Sequence, residues 1–145
     1  MPKCTEAKID FGRLGRRIIE ADFTGGDLSS DGGVMLLRQV DERLGLSRAA
    51  AAVLPDPRDP ERIEHGLREM LAQRIYGLCC GYEDLNDQQT LRADLLMQTA
   101  VGRIQPLASA PTLSRLDNRA TRAQAWALHG VLLDQFVSSH AKAPE

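Results

Sequence analysis

Leu54-Pro55-Asp56-Pro57-Arg58-Asp59-Pro60 places three prolines within seven residues. Each proline removes a backbone donor and restricts the residue before it, so this stretch cannot be regular structure. Every helix must therefore be placed before it or after it. Pro60, just ahead of Glu61, suits the first turn of a helix.

After that break the periodicity predicts a helix over about 61–80. On a wheel of 3.6 residues per turn, Ile63, Leu67, Met70, Leu71, Ile75 and Leu78 fall within an arc of roughly 140°. Glu61, His65 and Glu69 lie on the opposite side. Arg74 projects into the middle of the apolar arc, where an unpaired guanidinium is very costly. The acidic turn Gly81-Tyr82-Glu83-Asp84-Leu85-Asn86-Asp87 is the nearest source of a carboxylate in sequence, which predicts a pair between Arg74 and Asp84 or a neighbouring acid.

The remaining elements follow from caps and spacing. Ile18 to Phe23 has β-branched, alternating character and ends at Thr24-Gly25-Gly26-Asp27, which predicts one short strand or a hairpin near residues 18–29. Ser29-Ser30-Asp31 reads as an N-cap region for a helix carrying Val34, Leu36, Leu37, Val40 and Leu44, with Gly45 as its stop. Further helices are expected over Ser47 to Val53, Thr90 to Val101 (Leu91, Leu95 and Leu96 inward) and Pro111 to about Ala120. Thr121 with Gln124 fits a capping box for a last helix. That helix carries Trp126, Leu128, Val131, Leu132, Leu133, Phe136 and Val137 on more than one face, the pattern of a helix with a partner on each side. The fold class expected is thus mainly α. It comprises an irregular, basic lead-in over residues 1–17, a helical region over 18–140, and a tail over 141–145.

Composition narrows the function classes. The chain has 145 residues, 18 Lys+Arg against 20 Asp+Glu and a net charge of −2, with 43% hydrophobic and 4% aromatic residues. This fits one ordinary domain with a core and excludes a disordered chain. Overall charge does not mark a nucleic-acid binder, so any such role must rest on local patches. The N-terminus lacks a signal-peptide apolar stretch, and no run approaches the roughly 18 residues that span a bilayer. No membrane association is therefore expected. Cys4 and the adjacent Cys79–Cys80 do not resemble a disulfide framework, and a reducing cytoplasm is expected.

Few residues select a chemistry. Glu61, His65 and Glu69 have the i, i+4, i+8 spacing that can hold a transition metal, but a solvated face neutralised by Arg62 and Arg68 explains them better. Cys79–Cys80 lacks CxxC spacing, and the glycine-rich stretch Gly25 to Gly33 lacks the lysine and spacing of a P-loop. The most specific local pattern runs from Ser109 to Arg122. If it continues as one helix, Arg115, Arg119 and Arg122 fall within about 60° of one another, with Leu113, Leu116 and Ala120 on the other side. Ser114 and Asn118 then face outward with them. Arginine forks match phosphate oxygens and guanine edges, the equipment of a groove-binding helix. Arg13, Arg16 and Arg17 form a second basic cluster.

Several blocks together resemble the N-terminal region of bacterial insertion-sequence transposases of the DDE type, in insertion-sequence family thirteen-eighty (DDE transposase group one). They are Ala21-Asp22-Phe23 through Gly33 with its leucine-rich helix, and Asp56-Pro57-Arg58-Asp59-Pro60-Glu61-Arg62-Ile63-Glu64-His65. Met70 through Leu78, Gly81 through Asp87, and Leu107-Ala108-Ser109 to Arg115-Leu116 follow in family order. The resemblance implies a protein that binds transposon-end DNA and, when complete, cuts and rejoins it. Complete family enzymes use three carboxylates on an RNase H-like fold to hold two Mg²⁺ ions.

The first catalytic aspartate of that family lies on a strand after the segment matched here, and Leu133 to Glu145 is not β-rich. No catalytic residue, metal ligand or cofactor is therefore transferred to this chain, and no complete RNase H-like domain is expected. The expectation is a truncated or frame-shifted transposase, or its N-terminal fragment. Its role would be to bind transposon ends or another transposase chain, through Arg115, Arg119, Arg122, Ser114, Asn118 and the basic arm. Its place would be the cytoplasm, with the nucleoid. A helical interaction or dimerisation module, or a decayed fragment with no activity, is the alternative.

Overall fold

The computed structural model of the chain describes residues 8–21 and 31–140. The fold is mainly helical with one antiparallel hairpin, as the sequence leads one to expect. The hairpin pairs β1 (Ile9–Leu14) with β2 (Arg17–Ala21), and seven helices follow among the described residues. These are α1 (Val34–Leu44), α2 (Leu46–Val53), α3 (Leu67–Cys79), α4 (Asp87–Leu91), α5 (Leu95–Val101), α6 (Ala110–Asn118) and α7 (Arg122–Ser138). A 3-10 turn at Pro60–Arg62 follows the proline stretch. No RNase H-like sheet occurs among the described residues.

The hairpin corrects the reading of the first seventeen residues. Residues 9–14, expected in an irregular lead-in, form β1, and the partner of the predicted strand comes from before it. Gly15 supplies the φ of 59° that a tight two-residue turn with Arg16 requires. Cys4, the turn at Thr24 to Asp27, the cap residues Ser29 and Ser30 and the 141–145 tail lie outside the described residues. A lone hairpin is marginal in water. This one is anchored by Ile19, which is buried in the main core with Val34, Met35, Ala72, Tyr76, Leu91 and Met97, while Phe11 and Leu14 pack against the same cluster.

Two predicted helices are shorter or broken. The helix expected from Glu61 begins at Leu67, because Gly66 is extended and the Glu69 carboxylate accepts its N–H at 3.0 Å, while Arg58 holds the His65 carbonyl at 2.9 Å. The helix expected over 90–101 breaks at Asp94, whose side chain accepts from Met97 N at 2.7 Å and starts a new helix. Leu95 is consequently exposed rather than inward. In α1, Leu36, Val40 and Leu44 are also exposed, and the helix buries Val34, Met35 and Asp41 instead.

Buried polar groups organise the interior. Asp41 of α1 accepts from Ser47 N (2.7 Å), Ser47 Oγ (2.6 Å) and Tyr76 Oη (2.9 Å). It thereby caps α2, whose own N-cap residue, Gly45, has no side chain to do so. Gln73 of α3 donates to Gln88 Oε1 (3.1 Å) and the Ala108 carbonyl (3.0 Å), and its Oε1 accepts from Ala108 N. That pair of amides ties α3 to α4 and to the start of α6. A smaller apolar cluster of Met70, Ala108 and Leu113 lies beside it.

Arg74 does find a carboxylate, but not the expected one. Its Nε lies 3.3 Å from Asp117 Oδ2 on α6, and it reaches the acidic turn only through the Glu83 carbonyl, at 3.1 Å. Asp84 instead accepts from Asn86 N at 2.8 Å, closing the turn on itself. Folding brings α6 across α3, so a residue 43 positions away displaces the acid nearest in sequence.

Candidate nucleic-acid interface

The arginines of residues 115–122 do not share one helical face. α6 ends at Asn118, Ala120 N bonds back to the Asp117 carbonyl at 3.2 Å, and Thr121 opens α7 in extended geometry. Thr121 Oγ1 accepts from Gln124 N (3.2 Å) and Gln124 Oε1 from Thr121 N (2.7 Å), completing the predicted capping box. An N-cap cannot also be helix interior, so the helix that would have aligned the three arginines is interrupted.

Each arginine consequently has a different setting. Arg115 is exposed on α6, its Nη2 3.2 Å from Thr112 Oγ1. Arg119 turns inward, with Nη2 3.5 Å from Asp56 Oδ1 in an ion pair that is not a hydrogen bond. Arg122 is exposed at the first turn of α7. Asn118 Nδ2 donates to Ser114 Oγ at 3.1 Å, so these two side chains bind each other across one helical turn. A groove of about 480 Å³ between the proline stretch and α6 contains Arg58, Arg62, Arg115 and Arg119 together with Glu64 and His65.

In this groove Arg58 is committed to structure. It grips Asp56 through Nε–Oδ1 (2.8 Å) and Nη2–Oδ2 (2.6 Å) and also holds the His65 carbonyl. These side-chain bonds from Arg58 hold the Asp56 carboxyl below the usual carboxylate range, against the opposing effect of burial. A folded-state pKa below the unfolded value of about 4 contributes stability above that pH, and the contribution disappears as pH falls. The stability difference between the wild type and Asp56→Asn is therefore expected to stay constant above pH about 5 and to shrink below about 4. Urea unfolding at a series of pH values measures it, and a difference independent of pH would refute the assignment. His65, read from sequence as part of a solvated face, is buried. Burial, helped by the Arg103 charge, pushes its pKa down, so it adds no cation to the groove at neutral pH.

The second cluster is the hairpin tip. Arg13, Arg16 and Arg17 are exposed, and among the described residues none makes a side-chain hydrogen bond or ion pair. Acids of the ribbon are occupied away from the turn. Glu20 lies 3.1 Å from Lys8 Nζ, and Asp10 Oδ1 accepts from Gly12 N at 2.7 Å. Arg13 sits across the ladder from Ile18, and Leu14 across from Arg17. Residues opposite one another share a face, so Leu14 turns to the core with Arg17 exposed on the same side at the turn, while Arg13 and Ile18 face solvent on the other side.

The family resemblance implies two Mg²⁺ ions on three carboxylates in the complete enzyme; among the described residues no three His, Cys, Asp or Glu groups come together. Asp41, Asp56, Asp94 and Asp117 are each bonded to groups of their own chain, as above, and Glu69 accepts from Arg103 at 2.9 Å. Cys79 and Cys80 are free thiols, and no helix among the described residues is long and apolar enough to cross a membrane.

Comparison with known proteins places residues 11–145 under the family described as Transposase DDE domain group 1. No curated protein and no solved structure matches the chain.

Proposed function

The chain belongs to the transposase DDE domain group 1 family, and is thus a transposition-related protein; on that premise we propose that it binds transposon-end DNA without itself cutting it. The observation that carries this reading is the hairpin tip, where three arginines have no acidic partner among the described residues, in a chain whose net charge is −2. Unpaired guanidiniums at an exposed tip are available to phosphates at little desolvation cost. Arg115 and Arg122 are the helical candidates that remain, since Arg119 is engaged by Asp56. The finer assignment, to insertion-sequence family thirteen-eighty of bacteria, is supported by the order of the residue blocks, and a cytoplasmic, nucleoid-associated location follows from the reading.

Gel-shift titration with a duplex carrying the terminal inverted repeats, at two salt concentrations, tests it. Binding is expected at low salt and should weaken steeply as salt rises. Arg115→Ala and Arg122→Ala should each reduce the magnitude of the log–log slope by about 1. A folded chain that leaves the duplex unshifted at low salt would remove the DNA role.

One observation favours a second reading, docking on another transposase chain or a second copy. The buried side of α7 carries Val131, while Trp126, 76% exposed, lies on the outside with Leu132, Leu133, Phe136 and Val137. Size-exclusion chromatography over a dilution series is expected to show concentration-dependent association that Leu133→Glu abolishes. A strict monomer at every concentration argues against it.

A further inference from the structure

We infer that the β1–β2 hairpin enters the major groove of duplex DNA, with Arg13, Arg16 and Arg17 on the phosphates at its rims and Ile18 against thymine methyl groups. This rests on the DNA-binding reading above and deepens it by naming the element, the groove and the chemistry that is read. Three features of the hairpin carry it. Its width is that of a two-stranded ribbon, which the roughly 12 Å major groove of B-DNA admits. It is packed on the helices through Ile19, with Phe11 and Leu14 against the same cluster, so the ribbon is already formed before binding. Its outer face places Ile18, 59% exposed, directly across the ladder from Arg13, so an apolar contact and a cation leave the ribbon together.

The same geometry disfavours other nucleic acids. Single strands are held by stacking on aromatic side chains. The ribbon's one aromatic residue, Phe11, is packed against the core instead. The deep, narrow major groove of A-form RNA does not admit a ribbon. Thymine methyls line the major groove of B-DNA and are the apolar feature a side chain such as Ile18 can touch.

Fluorescence-anisotropy salt titrations with a mixed-sequence DNA duplex, its deoxyuridine-for-thymidine counterpart and a double-stranded RNA of the same sequence provide the test. Replacing all three arginines (Arg13→Ala, Arg16→Ala, Arg17→Ala) is expected to reduce the slope of log K against log salt by about 3 in magnitude. The triple lysine variant, which keeps the charges, should retain the slope. Ile18→Ala should leave the slope intact, weaken binding to the thymine duplex, and erase the difference between thymine and deoxyuridine duplexes. The inference is overturned if the wild type binds DNA and the triple alanine variant keeps its slope. It is also overturned if Ile18→Ala changes nothing, or if the RNA duplex binds as tightly as the DNA. Failure of the wild type to bind any duplex at low salt overturns the underlying DNA reading as well, so the two failures are distinguishable.

Discussion

Asp41→Ala should cost the fold about 3 kcal/mol, the sum expected when a buried carboxylate leaves several donors without a partner. The donors are Ser47 N, Ser47 Oγ and Tyr76 Oη, at 2.7, 2.6 and 2.9 Å. They come from α2 and α3, so one side chain of α1 fastens three helices at a single buried point. Tyr76 contributes as a donor throughout the accessible pH range, because burial and its bond to Asp41 push the phenol well above its ordinary value. Asp41→Asn keeps one acceptor oxygen and can donate to the hydroxyls, so about half the loss is expected. Tyr76→Phe removes a single donor and should cost about 1 kcal/mol. Urea unfolding of the three variants checks the order, and an alanine variant within about 0.5 kcal/mol of wild type would show that the network carries no stability.

What was legible in the sequence depended on the range of the interaction. The Thr121–Gln124 capping box and the Gly45 stop were readable because their partners lie within a turn. Asp41, Gln73 and Gln88 gave no such signal. Tyr76 is 35 residues from Asp41, and Gln73 is 35 from Ala108, so nothing local reveals that these polar side chains are interior. The same distance explains Arg74. Its need for a carboxylate followed from the apolar arc, but the choice of Asp117 over Asp84 was made by the packing of α6 on α3.

The candidate interface shows how two local signals can conflict. The 115–119–122 spacing aligns its arginines only if the helix continues through residue 121. The capping box at Thr121 requires that it stop there, and the cap prevails because it satisfies backbone donors that a continuous helix would have to bond differently. At the other end of the chain, β1 was hidden because the first seventeen residues mix both charge signs with two glycines, Gly12 and Gly15. Its strand character comes from pairing with β2 and from burying one face, both of which depend on tertiary packing.

Gly77→Ala is expected to reverse sign with the residue at position 88. Alanine in a helix interior is favoured over glycine by about 1 kcal/mol, so a free site on α3 would gain stability from it. A Cβ at Gly77, however, would stand 2.7 Å from Gln88 Nε2. Gln88 is fully buried and its Oε1 is held by Gln73, so the amide cannot swing away without giving up that bond. Overpacking and the lost bond together outweigh the helix gain, for a net destabilisation of about 1–2 kcal/mol in the wild-type background. In a Gln88→Ala background the obstructing amide is gone, and Gly77→Ala should become neutral or stabilising by up to about 1 kcal/mol. The four unfolding free energies of this cycle isolate the contact. An equal effect of Gly77→Ala in both backgrounds would mean that the close approach of α4, rather than the Gln88 amide, is what requires glycine there.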